Sequence, residues 1–294
     1  MTVTSSSPTT RRRWRPSPAR LGGGPGEGRQ RGRAWRAGFF LATNGLPVLA
    51  LLAWWIAARY VPAYIVPSPS SVLARTWDLI AGDSTSYVNT YTSFVRVGAA
   101  VLLALILGTG LAVVAHYVPL FRGLLIDRLL PFVNAFPSIG WAIVGMYWLG
   151  VSTSAVIFVE VAIVLPFTAV TIWEALKALD AETVEMAHSF TRSNRRVFAK
   201  VVLPYLAPSL FTALRLSYAA AWKVALVAEI FGASVGLGYL LNNAREQFDS
   251  STLYATILTL ILIVHGVDKA ILQPLEKRLL RYRTTSVAAS VSAR

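Results

Sequence analysis

Apolar residues along this chain fall into six long runs separated by polar connections. The runs extend from Gly38 to Ala58, Phe94 to His116, Leu129 to Leu149, Ser154 to Trp173, Ser209 to Phe231 and Leu253 to Leu272. Each is about 20 residues long, which at 1.5 Å per helical residue matches an apolar bilayer core of about 30 Å. The third run is interrupted by Asn134, Pro137 and Ser138, and irregular backbone at membrane depth is tolerated only beside protein or a wet cavity. The pattern predicts an all-α, polytopic membrane protein of about six transmembrane helices, the third of them broken or re-entrant. Three regions follow: residues 1–37 as a basic tail, 38–283 as the membrane domain, and 284–294 as a C-terminal tail.

Composition supports this reading. The chain is 55% hydrophobic and only 14% charged, where a soluble chain carries about 25% charged residues. There are no cysteines, which excludes disulfides, thiolate metal sites and cysteine nucleophiles. The net charge of +14 is unevenly placed. Arg11, Arg12, Arg13, Arg15, Arg20, Arg29, Arg31, Arg33 and Arg36 precede the first run against one acid, Glu27, around the segment Gly22-Gly23-Gly24-Pro25-Gly26. Such a segment cannot pack a core and is expected to be a disordered, topogenic tail that holds its end on the cytoplasmic side. The connections on that same side are basic: Arg122 and Arg128, then Lys177, Arg192, Arg195, Arg196 and Lys200, then Lys277, Arg278, Arg281 and Arg283. The opposite connections hold little beyond Arg59, Arg75 and Arg245, with Arg96 near the edge of the second run. The asymmetry predicts both termini inside, and in a membrane protein it implies no nucleic-acid partner.

The connection between the fourth and fifth runs has a pattern of its own. Asp180 is placed to cap a helix start, with Glu182 beside the positive end of its dipole. Thr183, Met186, Ala187 and Phe190 then repeat at helical spacing and make one apolar face. Ser193 is placed to cap a second short helix with Val197, Phe198, Val201 and Val202 on its apolar side, and Leu203-Pro204 is expected to end it. Two short amphipathic helices between membrane spans are suited to a partner's groove.

Glu185-Met186-Ala187, the turn at Thr191, the apolar helix and Leu203-Pro204 resemble the Glu-Ala-Ala cytoplasmic loop of binding-protein-dependent ABC transporter permeases. Met186 replaces the family's usual Ala, and Thr191 its Gly. Glycine accepts a left-handed backbone without steric cost and threonine does not, so the turn at Thr191 either has another geometry here or is strained. The resemblance extends from about Tyr64 to Tyr282. Residues 65–72 (I-V-P-S-P-S-S-V) and 228–240 (A-E-I-F-G-A-S-V-G-L-G-Y-L) are similar to the nitrate, sulfonate and taurine branch. The resemblance implies a permease in the bacterial cell membrane. Its expected partners are an ATP-binding cassette ATPase subunit, an extracytoplasmic solute-binding protein, membrane lipid and a second permease copy, usually an identical one. It also implies that Glu185, Met186, Ala187, Thr191, Leu203 and Pro204 belong to the element that couples to the ATPase.

The chain carries no Gly-rich loop ending in Lys and Ser or Thr, so a phosphate cradle is not expected and ATP with its Mg would be used by the separate subunit. No nucleophile or paired-carboxylate arrangement predicts catalysis, and His116, His188 and His265 lack metal-ligand spacing. An ion-gradient-driven transporter or channel is the alternative, with Glu160 in the fourth run as the residue that leans that way. In the fifth run Arg215, Trp222 and Glu229 are spaced by seven and share one helical face, expected to look toward a second copy and the central path. Arg215 and Glu229 are alternatively headgroup or capping residues at opposite interfaces. Lys223, about 100° around, is placed either to attract an anionic solute or to form a buried ion pair, with Glu160 and Glu229 as its balancing charges. Asn134 completes this set of candidate path residues.

Overall fold

The computed structural model describes residue 45, residues 47–82 and residues 84–279. The expected tails at 1–37 and 284–294, and the beginning of the first apolar run, lie outside the described residues. The chain divides into two units at Ile56 and Ala57. The first contributes only the start of helix α1 (Pro47–Tyr60) to the described part.

The described residues of the second unit form helices and turns without a strand. Helix α2 spans Pro69–Ala81 and α3 spans Ser84–Tyr117. A short α4 (Pro119–Phe121), a π-helical segment (Arg122–Leu129), α5 (Leu130–Ala135) and α6 (Ser138–Leu149) make up the broken third span. Its halves meet at 89°, because Pro137 leaves the helix with extended geometry and restarts it. Then come α7 (Thr153–Lys177), α8 (Ala181–Phe190), α9 (Asn194–Val197), α10 (Leu203–Gly232), α11 (Leu237–Glu246), α12 (Ser250–Val267) and α13 (Gln273–Leu279). Four helical stretches are long and apolar enough to cross a membrane, five with the bent pair counted as one. The described part of the first run is a shorter apolar helix.

Short polar residues start several of these helices. Ser68, ahead of Pro69 at the first helical position, accepts from the Ser71 N–H, which accounts for the Pro-Ser-Pro-Ser-Ser run. Asp249 caps α12 by accepting from the Thr252 N–H at 3.1 Å. Ser250 Oγ donates to the Tyr64 carbonyl and Arg75 Nε to Thr252 Oγ1, tying the segment around α2 to the start of α12.

The core lies among α3, α7 and α10. Ala100, Ala104, Gly108 and Ala112 recur every fourth residue on α3, and the three alanines are fully buried. A Cβ on Gly108 would collide with Thr168 and the Ala169 backbone of α7. Thr168 Oγ1 donates across this crossing to the Ala104 carbonyl at 2.9 Å. Small residues at regular spacing let two membrane helices approach closely enough for such a bond. One cluster of the core gathers Val97, Val101, Val164, Phe211, Trp222 and Leu237. A second gathers Ile126, Leu130, Ile172, Leu176, Val202 and Leu206, and a third Ala142, Val156, Val159, Val224 and Ala228.

Three π-helical segments each end two residues before a proline: Arg122–Leu129 before Pro131, Phe198–Val202 before Pro204, and Asp268–Leu272 before Pro274. Proline has no N–H for the carbonyl four residues back, and its ring crowds that carbonyl. Widening the preceding turn by one residue removes the crowding and lets the helix continue. The expectation that Leu203-Pro204 ends a short helix is therefore corrected. Pro204 sits in the first turn of α10, and the chain is helical from Asn194 to Gly232.

Candidate functional site

Two regions carry the chemistry that the sequence singles out: the loop between α7 and α10, and the buried polar residues of α10.

In the loop, Asp180 caps α8 as expected, accepting from the Glu182 N–H at 3.1 Å. No residue of α8 is buried. Met186 is 61% exposed and Phe190 85%, so these two residues of the apolar face have little cover among the described residues. Ala187 is half-buried, and Glu185 points into solvent without an ion pair among the described residues. Thr191 is extended, at φ −155° and ψ 132°. The turn is thus rebuilt rather than strained. The Thr191 hydroxyl accepts from the Ser193 N–H at 3.3 Å, a local turn available to threonine and not to glycine. Ser193 stands at the start of α9 but makes no side-chain capping bond. Val197 and Val202 are buried against the core, while Leu203 and Pro204 are exposed. His188 bridges α8 and α9: Nδ1 bonds the Val184 carbonyl at 2.9 Å and Nε2 bonds Asn194 Oδ1 at 3.1 Å. These two acceptors, Val184 first, hold its pKa above the ordinary histidine value.

At the far end of α10, Glu229 is the centre of a buried node. Its carboxylate accepts from Ser93 Oγ at 2.7 Å, Arg96 Nη1 at 3.1 Å and the Gly238 N–H at 2.8 Å. Ser93 Oγ accepts in turn from the Leu237 N–H, and Asn89 Oδ1 from the Gly236 N–H. Arg96 Nη1 also donates to the Val235 carbonyl at 2.6 Å, and its Nη2 to Thr153 Oγ1 at 2.9 Å. Side chains of α3 therefore fasten the loop that joins α10 to α11, and Thr153 of α7 steadies Arg96. Gly236 has φ 137°, and a Cβ there would strike the Glu229 carboxylate. That collision explains why this loop carries glycine after the glutamate. Both charged partners are nearly inaccessible.

The expected direction of the Arg215, Trp222 and Glu229 face is overturned. Trp222 is 2% exposed and Glu229 0%, because this side of α10 packs with Ala221, Ala225 and Ala228 into the chain's own core. Glu160 also lies fully inside, on α7, and both its oxygens lack a hydrogen-bond partner. Arg215 grips Asp268 through Nε and Nη2 at 2.9 and 3.0 Å and Glu276 through Nη1 at 3.1 Å, joining α10 to the chain after α12. Lys223 is exposed and has no ion pair among the described residues, so the buried pair with Glu160 or Glu229 does not form. It shares an outward strip with Thr212, Leu216 and Ala219. Asn134 is exposed at the mouth of a cavity of about 310 Å³ between the broken span and the Pro166 region of α7. Sequence reasoning missed Arg96 as the partner of Glu229. Its signal was an arginine at the edge of an apolar run, which requires a partner or water.

The model for the binding-protein-dependent transport system inner membrane component matches residues 100–278, a stretch that contains the loop, most of the core and all of α10. The chain belongs to this family. It is 26% identical over 247 residues to the taurine transport system permease protein TauC of Escherichia coli K12, covering 81% of this chain and 88% of that one. It is 28% identical over 244 residues to the formylaminopyrimidine transport permease protein ThiX of Halalkalibacterium halodurans, covering 80% and 93%. To the putative aliphatic sulfonates transport permease protein SsuC of E. coli K12 it is 27% identical over 242 residues, covering 81% and 90%. The protein is a multi-pass membrane permease subunit of an ABC importer, a component that works with an ABC ATPase and a solute-binding protein.

Proposed function

We propose that this permease forms the translocation path for a small sulfonate-like anion. It spans the membrane six times with both termini and the α8 loop in the cytoplasm, and it acts as a pair of identical copies. The ATPase subunit, with its ATP and Mg, receives α8. The observation that carries this reading is the uncovered apolar face of α8, where Met186 and Phe190 stand outward on a helix with no fully buried residue among the described ones. An amphipathic helix laid into a groove buries such anchors. Orientation follows from the basic side of the molecule, which carries Arg122, Arg128, Arg192, Arg195, Arg196 and Lys200.

The pairing and the solute rest on Lys223. A lysine at the centre of a span costs about 2.5–3.5 kcal/mol against lipid on insertion scales. The strip Thr212, Leu216, Ala219 and Lys223 is therefore the one that meets the second copy, with Lys223 over the shared path. A cation there suits the sulfonate named for SsuC better than the pyrimidine named for ThiX.

The test is assembly. Phe190→Ala and Glu185→Lys variants are expected to insert normally but to lose most co-purifying ATPase subunit, a truncated anchor weakening docking by at least about tenfold. Wild-type recovery of the ATPase with both variants refutes the docking assignment. Proteoliposome uptake by Lys223→Met, with the ATPase and binding protein present, tests the solute: uptake at the wild-type rate removes Lys223 from the path.

A further inference from the structure

On the side of the coupling loop turned away from Met186 and Phe190 there is a cavity of about 510 Å³. It is within the range of about 300–1,000 Å³ that takes small molecules or headgroup-sized ligands. Its walls are Tyr117, the last residue of α3, with Val184 and His188 of α8 and Asn194, Arg195 and Phe198 beyond the turn. We propose that this cavity binds the phosphate-bearing headgroup of an anionic phospholipid from the leaflet next to the loop.

Three observations support the assignment. The first is charge. No acid lines the cavity, and Arg195 is exposed without an ion pair among the described residues. His188 has an acceptor at each ring nitrogen, the Val184 carbonyl and Asn194 Oδ1. Only the imidazolium supplies a proton to both. The Arg195 cation thus borders a space without a counter-charge, with the His188 ring beside it, and the guanidinium keeps its forked donors free for phosphate oxygens.

The second is depth. Tyr117 directly follows the apolar run that ends at His116, whereas the helical stretch that carries the fifth run begins at Asn194, well before that run starts at Ser209. The Tyr117 wall of the cavity therefore lies at the level where hydrocarbon gives way to headgroups, where aromatic side chains collect. Basic pockets between helices at this level hold acidic headgroups. Val184, Val197 and Phe198 add an apolar floor, which fits the glycerol and first acyl carbons of a lipid and gives nothing to free phosphate.

The third is the geometry of α8. Val184 and His188 are one turn apart on one face, and Met186 and Phe190 are displaced from them by two residues, about 200° around the helix. The face that awaits the ATPase is thus opposite the face that borders the cavity. One short helix separates a protein groove from a lipid site, and an acidic lipid held by Arg195 and His188 fixes the height of α8 against the span ends. The assignment needs only the chain's place in a membrane, so it stands or falls separately from the solute reading.

The experiment uses the permease assembled with its ATPase subunit in nanodiscs of phosphatidylcholine containing a minor fraction of phosphatidylglycerol. Retained lipid is read by native mass spectrometry after transfer to detergent. Wild type is expected to retain phosphatidylglycerol in preference to phosphatidylcholine. Arg195→Gln is expected to hold it about tenfold more weakly, the loss of one charge-assisted fork, and His188→Gln to weaken it to a smaller extent. Arg192→Gln, in the same loop but outside the cavity, is expected to retain it as wild type does. Equal loss in Arg192→Gln and Arg195→Gln overturns the proposal, since the contact is then unspecific surface charge. Competition by inorganic phosphate or glycerol 1-phosphate at the concentration of the lipid also overturns it, in favour of a soluble anion. Retention of the lipid by the permease alone but not by the permease assembled with its ATPase subunit overturns it in favour of a protein side chain.

Discussion

Removing Arg96 tests the node around Glu229 directly. In Arg96→Met the Glu229 carboxylate keeps its bonds from Ser93 and Gly238 but loses its only positive partner among the described residues. The Val235 carbonyl and Thr153 hydroxyl lose a donor as well. Both charged side chains are at least nine-tenths buried. Stripping one member of such a pair costs about 3–5 kcal/mol, most of it the charge left behind. At about 2–4 °C per kcal/mol for a domain of this size, the melting temperature should fall by about 10 °C. Glu229→Gln removes the charge while leaving acceptor and donor atoms in place. The double variant Arg96→Met/Glu229→Gln should therefore be more stable than the sum of the single losses predicts, by about 2 kcal/mol or more. The assay is thermal unfolding of all four proteins, assembled with the ATPase subunit in one detergent. Losses that add to within about 0.5 kcal/mol refute the pairing, as does a single-variant shift of less than about 2 °C.

Three further outcomes follow from the same geometry. Gly236→Ala, which combines a left-handed φ with a Cβ on the Glu229 carboxylate, should lower stability by about 1–3 kcal/mol, whereas Gly98→Ala, with open space around it, should stay near wild type in the same melt. Arg215→Gln should loosen the segment after α12 by leaving Asp268 and Glu276 facing each other, and hydrogen exchange should rise around residues 268–279; unchanged exchange counts against the cluster. Asp249 is partly desolvated, which raises its pKa, but bonds from Thr252 and the charge of Arg75 outweigh this and hold it below the ordinary carboxylate value. A lowered pKa gives stability that is full above the unfolded value and is lost as pH falls through the folded one, so acid should weaken the α12 start in wild type and do so less in Asp249→Asn.

The coupling loop was legible because its signals are local. The capping aspartate, the apolar repeat through Met186 and Phe190 and the basic second half each depend on neighbours within two turns, and each appears in the structure. Thr191 was readable only as a fork between strain and a new turn, since the deciding contact is its own hydroxyl on the Ser193 N–H. Pro204 misled because the rule that proline stops a helix assumes four-residue hydrogen bonding before it, and the π-helical turn at Phe198–Val202 removes that assumption. The face of α10 was grouped correctly and pointed wrongly. Periodicity says which residues travel together but not what they meet. Ala221, Ala225 and Ala228 beside Trp222 and Glu229 were the missing cue, since small residues at helical spacing mark a close crossing with another helix. The ion pair with Arg96 joins residues 133 apart in sequence, and no spacing rule reaches that far.

The continuity of the helix through Pro204 bears on how the loop acts on the path. Had the chain broken there, movement of α8 and α9 would be absorbed at a flexible joint. Instead one helical run of 39 residues leads from Asn194 to Gly232, about 58 Å at the α-helical rise. Its first residue bonds His188 of the coupling loop, and near its last turn Glu229 sits in the node with Arg96 and the loop before α11. Lys223 lies on the exposed strip between the two ends. The far end is held by buried bonds to Ser93 and Arg96 of α3, while the near end packs Val202 and Leu206 into the core and carries the uncovered helix. The π-helical turn at Phe198–Val202, one residue looser than its surroundings, is where such a run bends without losing its hydrogen bonds. It stands between the coupling loop and the strip that bears Lys223.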